Sequence, residues 1–275
     1  MFFNIKVLVE NKTYKNECYA EHGLSLYIHA GGKRILFDTG SSDLFMYNAN
    51  KMGVDIRGID FTVVSHGHYD HTGGIPAFYS ISEDAPVYIH HSAFKKTYSQ
   101  IAGKELSKKH CGIMWDRKQF DDRLILTDGI IWIDQNTVIS GSIPPSEGFE
   151  PDMRFYEKDD SGGLVLDKME HEQFLAIRGK DGVYLVCGCC HLGVLAALEY
   201  ARCIFEGEPI RALIAGMHLV HTPVEQIDEL IDKMIAFGVR TVVPLHCTGL
   251  EAISRLKTRL KENCILLSTG DSFGW

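Results

Sequence analysis

No segment of the 275-residue sequence has the length and apolarity of a membrane-spanning helix. The most apolar stretch, residues 183–200, is interrupted by Gly188, His191 and Gly193, which favours a buried strand followed by a helix. The first six residues lack the long apolar core of a secretory signal and predict a first strand instead. We therefore expect a cytoplasmic protein that does not associate with membranes.

Paired Cys-x-x-Cys units of the zinc-finger type are also absent, although the sequence contains eight cysteines. Three of them, Cys187, Cys189 and Cys190, lie within four positions of one another. A chain of this length can bury a substantial core without disulfides, so we expect reduced thiols. We interpret these three cysteines first as small buried hydrophobic residues. The alternatives are that they bind a metal as thiolates or that two of them form a redox pair.

Basic residues are fewer than acidic residues. The sequence has 28 lysines and arginines and 36 aspartates and glutamates, which gives a net charge of −8. This balance argues against a general binder of polyanions, and we expect no nucleic-acid partner. The stretch from Lys95 to Lys118 differs, since it has seven lysines and arginines against two acidic residues. It is either a solvated helix face or a surface that attracts an anionic substrate.

The composition that remains is that of an ordinary globular protein, with 45% hydrophobic and 23% charged residues. Short-period repeats and low-complexity linkers are not apparent, and we predict a single domain over residues 1–275. Strands predominate first and strand–helix units follow later, which predicts a mixed α/β fold. The predicted strands are 4–10, 24–30, 34–37, 61–64, 86–90, 123–126, 130–133, 137–140, 183–186, 211–215 and 239–245.

Two helices of the last third have clear sequence limits. A capping box, Thr222-Pro223-Val224-Glu225, opens the first helix, and Gly238 ends it. A second box, Thr248-Gly249-Leu250-Glu251, opens the next. By contrast, residues 92–120 are predicted to be helical or irregular, and residues 143–172, which are rich in glycine, proline and acids, to form a long loop or flap.

Histidines and an aspartate follow five of the predicted strands directly. The carboxyl ends of strands in α/β sheets are where ligands bind, so this placement predicts one polar cluster at a common sheet edge. Scattered structural histidines would not be expected to share it. Taken strand by strand, the residues are Asp38; His66, His68 and His71; His191; His218; and His246.

The densest part of this pattern is the segment Ser65-His66-Gly67-His68-Tyr69-Asp70-His71-Thr72-Gly73-Gly74. Three imidazoles and one carboxylate within six residues suit a divalent metal that accepts nitrogen and oxygen ligands. In a turn after a strand, alternating side chains can point at one ion while the next pair points at a neighbouring ion. The glycines let the backbone fold tightly around them. A polar surface loop is the alternative interpretation.

The pattern His-x-His-x-Asp-His after a strand, with Phe37-Asp38-Thr39-Gly40 upstream, resembles the metallo-β-lactamase superfamily over almost the whole chain. The resemblance implies an αββα sandwich with metals at one edge of the paired sheets. It further implies that His66 and His68 bind one metal and that Asp70 and His71 bind a second. Asp38 would stabilise the metal-binding loop without binding a metal itself.

Two later motifs extend the resemblance. The run from Cys187 to His191 sits where the family places a ligand that contacts both metals, and His246 sits at the family's last histidine ligand. The family's further H-T-x-G-H histidine has no counterpart in residues 137–145. Either His191 fills that vacancy on the first metal and water takes the bridging position, or the second metal site is weak or is filled only with substrate present.

The combination of Cys-Cys-His, Gly216-Met217-His218-Leu219 and His246-Cys247-Thr248-Gly249 is similar to a particular subgroup of the superfamily. That subgroup is named for 7,8-dihydropterin-6-methyl-4-(β-ribofuranosyl)aminobenzene-5′-phosphate synthase. The similarity implies metal chemistry on a small-molecule substrate, either phosphate-bearing or pterin-like.

The resemblance as a whole implies a metal-dependent hydrolase in which a metal-bound hydroxide attacks a small ester, phosphoester or related substrate. One or two divalent ions are expected, zinc first, with manganese or iron as alternatives. Asp70 would hold the second metal and orient the nucleophile, while Tyr69, His218 and Thr248 would position the substrate. Among the cysteines, Cys190 is expected to approach the metals most closely, in a supporting role.

Other functions stay open. The first alternative is a pterin-related synthase that releases pyrophosphate, and the second is a di-iron redox protein or a non-catalytic metal-binding module. The sequence is compatible with a homo-oligomer. The remaining histidines are assigned surface or packing roles: His22, His29, His90, His91, His110, His171 and His221.

Overall fold

The computed structural model describes residues 2–101, 104–150, 152–159 and 161–275. For residues 101, 104–107 and 121 it describes the backbone but not the side chains. The strands are β1 (Phe3–Val9), β2 (Ser25–Ala30), β3 (Lys33–Phe37), β4 (Phe61–Val63), β5 (Val87–His90), β6 (Thr97–Ile101), β7 (Lys104–His110), β8 (Leu124–Thr127), β9 (Ile131–Trp132), β10 (Thr137–Ile139), β11 (Phe155–Lys158), β12 (Leu164–Leu166), β13 (Leu175–Gly179), β14 (Gly182–Cys187), β15 (Ile210–Ala215), β16 (Val242–Pro244) and β17 (Ser272–Gly274). The α-helices are α1 (Leu44–Lys51), α2 (Tyr69–Thr72), α3 (Ile75–Ile81), α4 (Val194–Ile204), α5 (Val224–Phe237) and α6 (Leu250–Leu260).

Two large sheets face each other across a shared apolar layer. The first has the strand order β17-β1-β2-β3-β4-β5-β8, and the second has the order β16-β15-β14-β13-β10-β9. Ile5 of the first sheet and Ile177 of the second belong to the same buried cluster. Successive side chains of a strand point to opposite faces. In β14, Val186 therefore joins this inner layer, whereas Leu185 packs in the cluster that holds the helices.

Helices cover the outer faces of both sheets. Phe45 of α1 and Phe78 of α3 pack against Leu36 of the first sheet. On the second sheet, Ile231 of α5 and Leu256 of α6 pack in the cluster that also contains α4. These four layers confirm the predicted αββα sandwich. Within the described ranges, none of the helices combines the length and apolarity needed to cross a membrane.

Within each large sheet, the strands that precede the predicted site residues run parallel to one another. β3, β4, β5 and β8 are parallel in the first sheet, and β14, β15 and β16 are parallel in the second. Their carboxyl ends therefore open at one edge, as the sequence predicts. The residues that follow them there are Asp38 after β3, His66 after β4, His191 after β14, His218 after β15 and His246 after β16.

Two stretches differ from the sequence prediction. Residues 92–120, predicted to be helical or irregular, contain the hairpin β6–β7, and residues 143–172, predicted to be a long loop or flap, contain the hairpin β11–β12. β6 pairs with β11, so the two hairpins form a third sheet in the order β12-β11-β6-β7. The segments are largely polar, as in Lys-Glu-Leu-Ser-Lys-Lys-His of β7. They therefore lack the apolar alternation by which a strand is recognised.

The predicted capping boxes are also wrong, although the helices begin close to the predicted positions. α5 follows Pro223 and α6 follows Gly249, and among the described residues neither helix has a side-chain cap. The Thr248 hydroxyl donates to the Leu245 carbonyl at 2.7 Å instead. Because α6 is entered through Gly249 at φ +82°, the threonine before it cannot reach the first free N–H groups.

Candidate metal centre

Four of the six predicted metal ligands line a cavity of about 200 Å³ at the common sheet edge, and the other two, His66 and His71, contact these four. The loop that joins β4 to α2 and α2 itself contribute His68 and Asp70, and the loops after β14, β15 and β16 contribute the rest. The side chains that line the cavity are His22, His68, Tyr69, Asp70, Ser99, Cys111, Phe155, Cys189, His191, His218, His246 and Cys247.

The first donor set is formed by His66, His68 and His191. Nε2 of His66 lies 3.1 Å from Nδ1 of His68. The His191 ring is centred 5.0 Å from the His66 ring and 4.9 Å from the His68 ring, nearly perpendicular to the latter. His191 therefore lies against the first pair of predicted ligands.

The second donor set is centred on the Asp70 carboxylate. Its Oδ2 lies 3.3 Å from Nε2 of His246 and 3.7 Å from Nε2 of His71. Nε2 of His22 approaches the same oxygen to 3.2 Å, although the His22 side chain is largely exposed. Cys189 completes the group, because its Sγ lies 3.2 Å from Nε2 of His71.

One buried carboxylate orients ligands of both sets. The Asp38 Oδ2 accepts a hydrogen bond from the Ser65 hydroxyl and one from Nδ1 of His71, each at 2.7 Å. Because Ser65 donates to Asp38, it accepts from Nδ1 of His66 at 2.9 Å. These contacts place a proton on Nδ1 of both histidines, so Nε2 is the nitrogen of each that could bind a metal.

His246 and His191 have supports of their own. Nδ1 of His246 lies 2.8 Å from Oδ1 of Asn11, which fixes the proton on Nδ1 and leaves Nε2 facing Asp70. The buried Glu172 carboxylate accepts hydrogen bonds from the backbone N–H groups of His191 at 2.7 Å and Leu192 at 2.9 Å. Glu172 therefore holds the loop that carries His191.

Replacing Glu172 by glutamine should loosen this loop, because an amide NH₂ would then face a backbone N–H. We expect Glu172→Gln to lower the free energy of unfolding by about 1–3 kcal/mol and metal affinity by about 10- to 100-fold. Urea titration and competition with a chelator measure the two quantities. Glu170→Gln, at an exposed carboxylate two residues away, is the matched control. Equal effects of the two variants would contradict the role given to Glu172.

The ionisation of the cluster differs between the two donor sets. Burial lowers the pKa of His68 to about 3 and, with neighbouring imidazoles, lowers those of His66 and His191. Burial also acts to lower the pKa of His71, but Asp38 and Asp70 outweigh it and raise that pKa to about 9. The first set is thus neutral and ready to bind a cation, whereas a cation in the second set displaces a proton from His71.

A divalent metal fits these residues. Within the described part of the chain, the buried Nε2 of His68 and both ring nitrogens of His191 and His218 have no hydrogen-bond partner. A buried polar atom left unpaired costs about 1–3 kcal/mol, so one nitrogen of the His191 ring and one of the His218 ring are available to a cation, whereas His68 faces His66 with Nδ1, the nitrogen that would bind in the first set. Bond lengths around tetrahedral zinc place two nitrogen ligands about 3.3 Å apart. The separations of 3.1 Å in the first set and 3.3 Å between His246 and Asp70 are close to this value.

The backbone is held in the left-handed region at four residues around the cavity. These φ angles are +57° at Asp38, +52° at Cys190, +51° at His218 and +49° at His246. Such conformations cost free energy for residues with a side chain, and they cluster at functional sites where the surrounding structure enforces them. Here they turn the chain at strand ends, which brings side chains of separate strands to one point.

The third sheet forms the outer wall of the cavity. The Phe155 ring of β11 is stacked on His68 at 5.1 Å and lies 5.1 Å from the His191 ring and 5.5 Å from the His218 ring. Asp152, just before β11, approaches Nε2 of His218 to 3.8 Å. Residues 143–172 therefore cover the predicted ligands with an aromatic side chain rather than passing over them as an open loop.

Three other predicted site residues have different placements. Tyr69 lines the cavity, whereas the Thr248 hydroxyl is committed to the Leu245 carbonyl. Cys190 packs with Cys187 in the cluster beneath the helices and is not among the cavity-lining residues. Its neighbour Cys189 approaches the ligands instead, because the left-handed turn at Cys190 directs the two thiols to different sides.

The sequence interpretation missed several residues of the site. His22 and His171 were assigned surface or packing roles, yet His22 approaches Asp70, and the buried His171 accepts from the backbone N–H of Gly67 at 3.2 Å. The sequence contained a signal for Cys189 as a site residue, because Cys189 precedes His191 by two positions, just as His66 precedes His68. Asn11, Glu172 and Phe155 carry no local pattern that would indicate their contacts.

The family comparison agrees with this geometry. The model of the metallo-beta-lactamase superfamily matches residues 19–246. The matched segment includes every residue of the two donor sets.

Two relatives from Methanocaldococcus jannaschii are each 30% identical to the chain. One is an uncharacterised protein, aligned over 258 residues that cover 92% of this chain and 93% of the relative. The other is named 7,8-dihydropterin-6-methyl-4-(beta-D-ribofuranosyl)-aminobenzene-5′-phosphate synthase, aligned over 285 residues with 97% and 95% coverage. Among solved structures, Tm1679, described as a metal-dependent hydrolase of the beta-lactamase superfamily, is similar with a TM-score of 0.83, 28% identity and 98% coverage of both chains.

Proposed function

Because the chain belongs to the metallo-β-lactamase superfamily, we propose that it is a metal-dependent hydrolase of a small ester, phosphoester or related substrate. The observation that carries the proposal is the pair of donor sets on one cavity, with buried imidazole nitrogens unpaired among the described residues. His66, His68 and His191 would hold one divalent ion, and Asp70, His71 and His246 a second. Zinc suits these nitrogen and oxygen donors, and manganese or iron are the alternatives.

Bound divalent ions would lower the pKa of a coordinated water and polarise the substrate oxygen. The chain's own residues would supply orientation and exclude bulk water. The Asp70 carboxylate, held between His22 and His246, would orient the attacking water as well as bind metal. Phe155 covers three imidazoles and shields them from solvent. Tyr69 and His218, which both line the cavity, would contact the substrate.

The surroundings of the cavity favour an anionic substrate. Nζ of Lys109, on β7, lies 5.9 Å from the ring of Tyr69, which itself lines the cavity. One residue of the basic stretch thus lies near a side chain that lines the cavity, and it does so on a strand rather than on a helix. A phosphate group would be attracted there.

A synthase is the second candidate, and one observation favours it: the 30% identity to the synthase-named relative over nearly the full length of both chains. In that reaction class the metals would bind a pyrophosphate leaving group. The cavity of about 200 Å³ is small for a pterin ring together with a diphosphate. A synthase would therefore need the wall formed by β11 to move outward.

Metal content and turnover test the hydrolase proposal. Protein loaded with zinc, manganese or ferrous iron is assayed by elemental analysis and on a phosphomonoester, a phosphodiester, a diphosphate and a carboxylic ester. We expect up to two ions per chain, and hydrolysis that a chelator abolishes and added metal restores. His246→Ala should retain one ion fewer. His29→Ala, at an exposed position of β2, should match the wild type.

Three outcomes would contradict the proposal. The first is less than one ion per chain that neither His66→Ala nor His246→Ala lowers further. The second is iron whose visible absorption bleaches on reduction in a protein that hydrolyses none of the substrates, which would favour the redox alternative. The third is formation of a pterin adduct with release of pyrophosphate, which would favour the synthase.

A further inference from the structure

The side chain of His22 enters the candidate metal cavity from the solvent side. It is 60% exposed, yet it is among the side chains that line the cavity. Its Nε2 lies 3.2 Å from Oδ2 of Asp70, and its ring is centred 5.1 Å from the ring of His246. His22 and His246 therefore converge on the same carboxylate oxygen.

Backbone contacts hold the segment around His22 against Asp70. The Leu24 N–H donates to the Asp70 carbonyl oxygen at 3.2 Å. Gly23 packs on the same oxygen so closely that a Cβ there would lie 2.5 Å from it. In addition, the His22 carbonyl accepts a hydrogen bond from the Ser41 hydroxyl. The fold thus sets the position of the His22 ring, as is expected of a residue that belongs to the site.

Asn11 links the same segment to His246. Its Oδ1 accepts a hydrogen bond from the Gly23 N–H at 3.2 Å and lies 2.8 Å from Nδ1 of His246. Because a backbone N–H can only donate, this atom of Asn11 is the oxygen, and Nδ1 of His246 carries the proton. In a neutral His246 ring, Nε2 is then a lone pair that faces the Asp70 carboxylate oxygen at 3.3 Å. Two acceptors at this distance repel each other unless both bind a cation.

The distances around Asp70 match those between ligands of one ion. The ligand atoms of His22, Asp70 and His246 all lie within 4.8 Å of one another. Nitrogen and oxygen ligands of tetrahedral zinc lie about 3.3 Å apart, and the two imidazoles approach Oδ2 to 3.2 and 3.3 Å. His22, to which the family pattern gives no role, therefore has the same relation to the carboxylate as the predicted ligand His246.

We propose that His22 binds the divalent ion of the second donor set through Nε2, in addition to Asp70, His71 and His246. This inference rests on the proposed two-metal site. The bond forms from the Nε2 lone pair while the ring proton stays on Nδ1. Because the His22 side chain is exposed, it covers the ion on the side that faces bulk solvent. The ion stays accessible from the cavity.

Two substitutions of similar length separate a ligand from a hydrogen-bond donor. In His22→Gln, the amide can still donate to Asp70, but its oxygen is a weak ligand for zinc. In His22→Glu, a carboxylate oxygen can bind the ion, but no group donates to Asp70. We expect His22→Gln to weaken binding of one zinc ion, the one that His246→Ala also loses, by about tenfold or more in chelator competition. His22→Glu should retain most of that affinity. His29→Gln, at an exposed position of β2, is the matched control and should bind both ions as the wild type does.

Cobalt(II) gives a second measurement that depends neither on affinity nor on turnover. The ring protons of an imidazole bound to cobalt have NMR signals shifted far outside their usual range. The cobalt-loaded wild type should show the His22 ring among these shifted signals. The signals of that one ring should be missing from His22→Gln and present in His29→Gln.

The outcomes distinguish a ligand from the other roles of His22. Wild-type affinity for both ions in His22→Gln, with weaker binding in His22→Glu, would show that His22 only positions Asp70 and would overturn the proposal. Unchanged affinities in both variants with a raised KM would show a substrate contact and overturn it as well. If both variants bind more weakly, a shifted His22 ring in the wild type supports the proposal and an unshifted ring overturns it.

The same experiment keeps this proposal apart from the proposed function. A wild type that hydrolyses substrate with a single bound ion, and that His22→Gln leaves unchanged, would overturn the role of His22 and leave the metal-dependent hydrolase standing. If the wild type binds no divalent ion at all, both proposals fail.

Discussion

Replacing Asp70 by asparagine is expected to remove the metal of the second donor set and to reduce kcat by about 100-fold or more. Burial acts to raise the pKa of Asp70, but His71, His22 and His246 outweigh it and hold that pKa well below its usual value. The carboxylate is therefore anionic, and asparagine keeps its shape while removing the charge. A bound metal stabilises transition-state charge by several kcal/mol, and about 1.4 kcal/mol corresponds to a factor of ten in rate.

The comparison of kcat with KM identifies the role of Asp70. If Asp70 holds a metal that acts in the transition state, kcat should fall while KM changes little. The control is Asp128→Asn, which changes an exposed carboxylate near His90 and His91, outside the cavity. An Asp70→Asn protein with the metal content of the wild type and a kcat within about threefold of it would contradict the assignment.

The parts of this protein that could be predicted from sequence depend on local patterns. Strands of four to seven mostly apolar residues followed by a histidine or aspartate indicated both the sheets and the edge at which the site lies. The segment from His66 to His71 is contiguous, so its spacing alone indicated a metal loop. Gly73, two residues beyond this segment, has an ordinary φ angle of −63°. It is needed because a Cβ there would lie 2.1 Å from the Ser41 carbonyl oxygen.

The remainder of the site depends on contacts between distant segments. Cys189 and His71 are 118 positions apart, and Asn11 and His246 are 235 apart. A single sequence contains no signal for either pair. We predicted that Cys190 rather than Cys189 would approach the metals. The correct choice requires knowledge of the turn, because one left-handed residue decides which of the two adjacent thiols faces the cavity.

The outer wall of the cavity was mispredicted for a different reason. In the third sheet, β7 is largely polar, and β11 and β12 have only four and three residues, too few to show a period of two. Yet this sheet carries Phe155, which contacts three imidazoles of the cavity lining. The element that walls the cavity is thus the element least visible in the sequence.

Removing the Asp38 side chain is expected to weaken both donor sets and the fold together. Asp38→Ala leaves the Ser65 backbone N–H, the Ser65 hydroxyl and Nδ1 of His71 without their common acceptor, all of them buried. Breaking a buried charge pair by removing one partner costs about 3–5 kcal/mol. We expect a loss of that size in the free energy of unfolding, measured by urea titration of the metal-free protein. Metal affinity at both positions should fall by about 10- to 100-fold.

The pH dependence of this loss separates the ion pair from simple packing. Because Asp38 and Asp70 raise the pKa of His71 to about 9, above the unfolded value of about 6.5, the pair stabilises the metal-free protein fully below pH of about 6.5 and loses that contribution as the pH rises through about 9. The difference between wild type and Asp38→Ala should therefore be larger at pH 6 than at pH 9. Asp60→Ala, which removes an exposed ion pair with Arg34, should cost at most about 1 kcal/mol. A loss in Asp38→Ala that is equal at both pH values would show that the carboxylate braces the loop without charging His71.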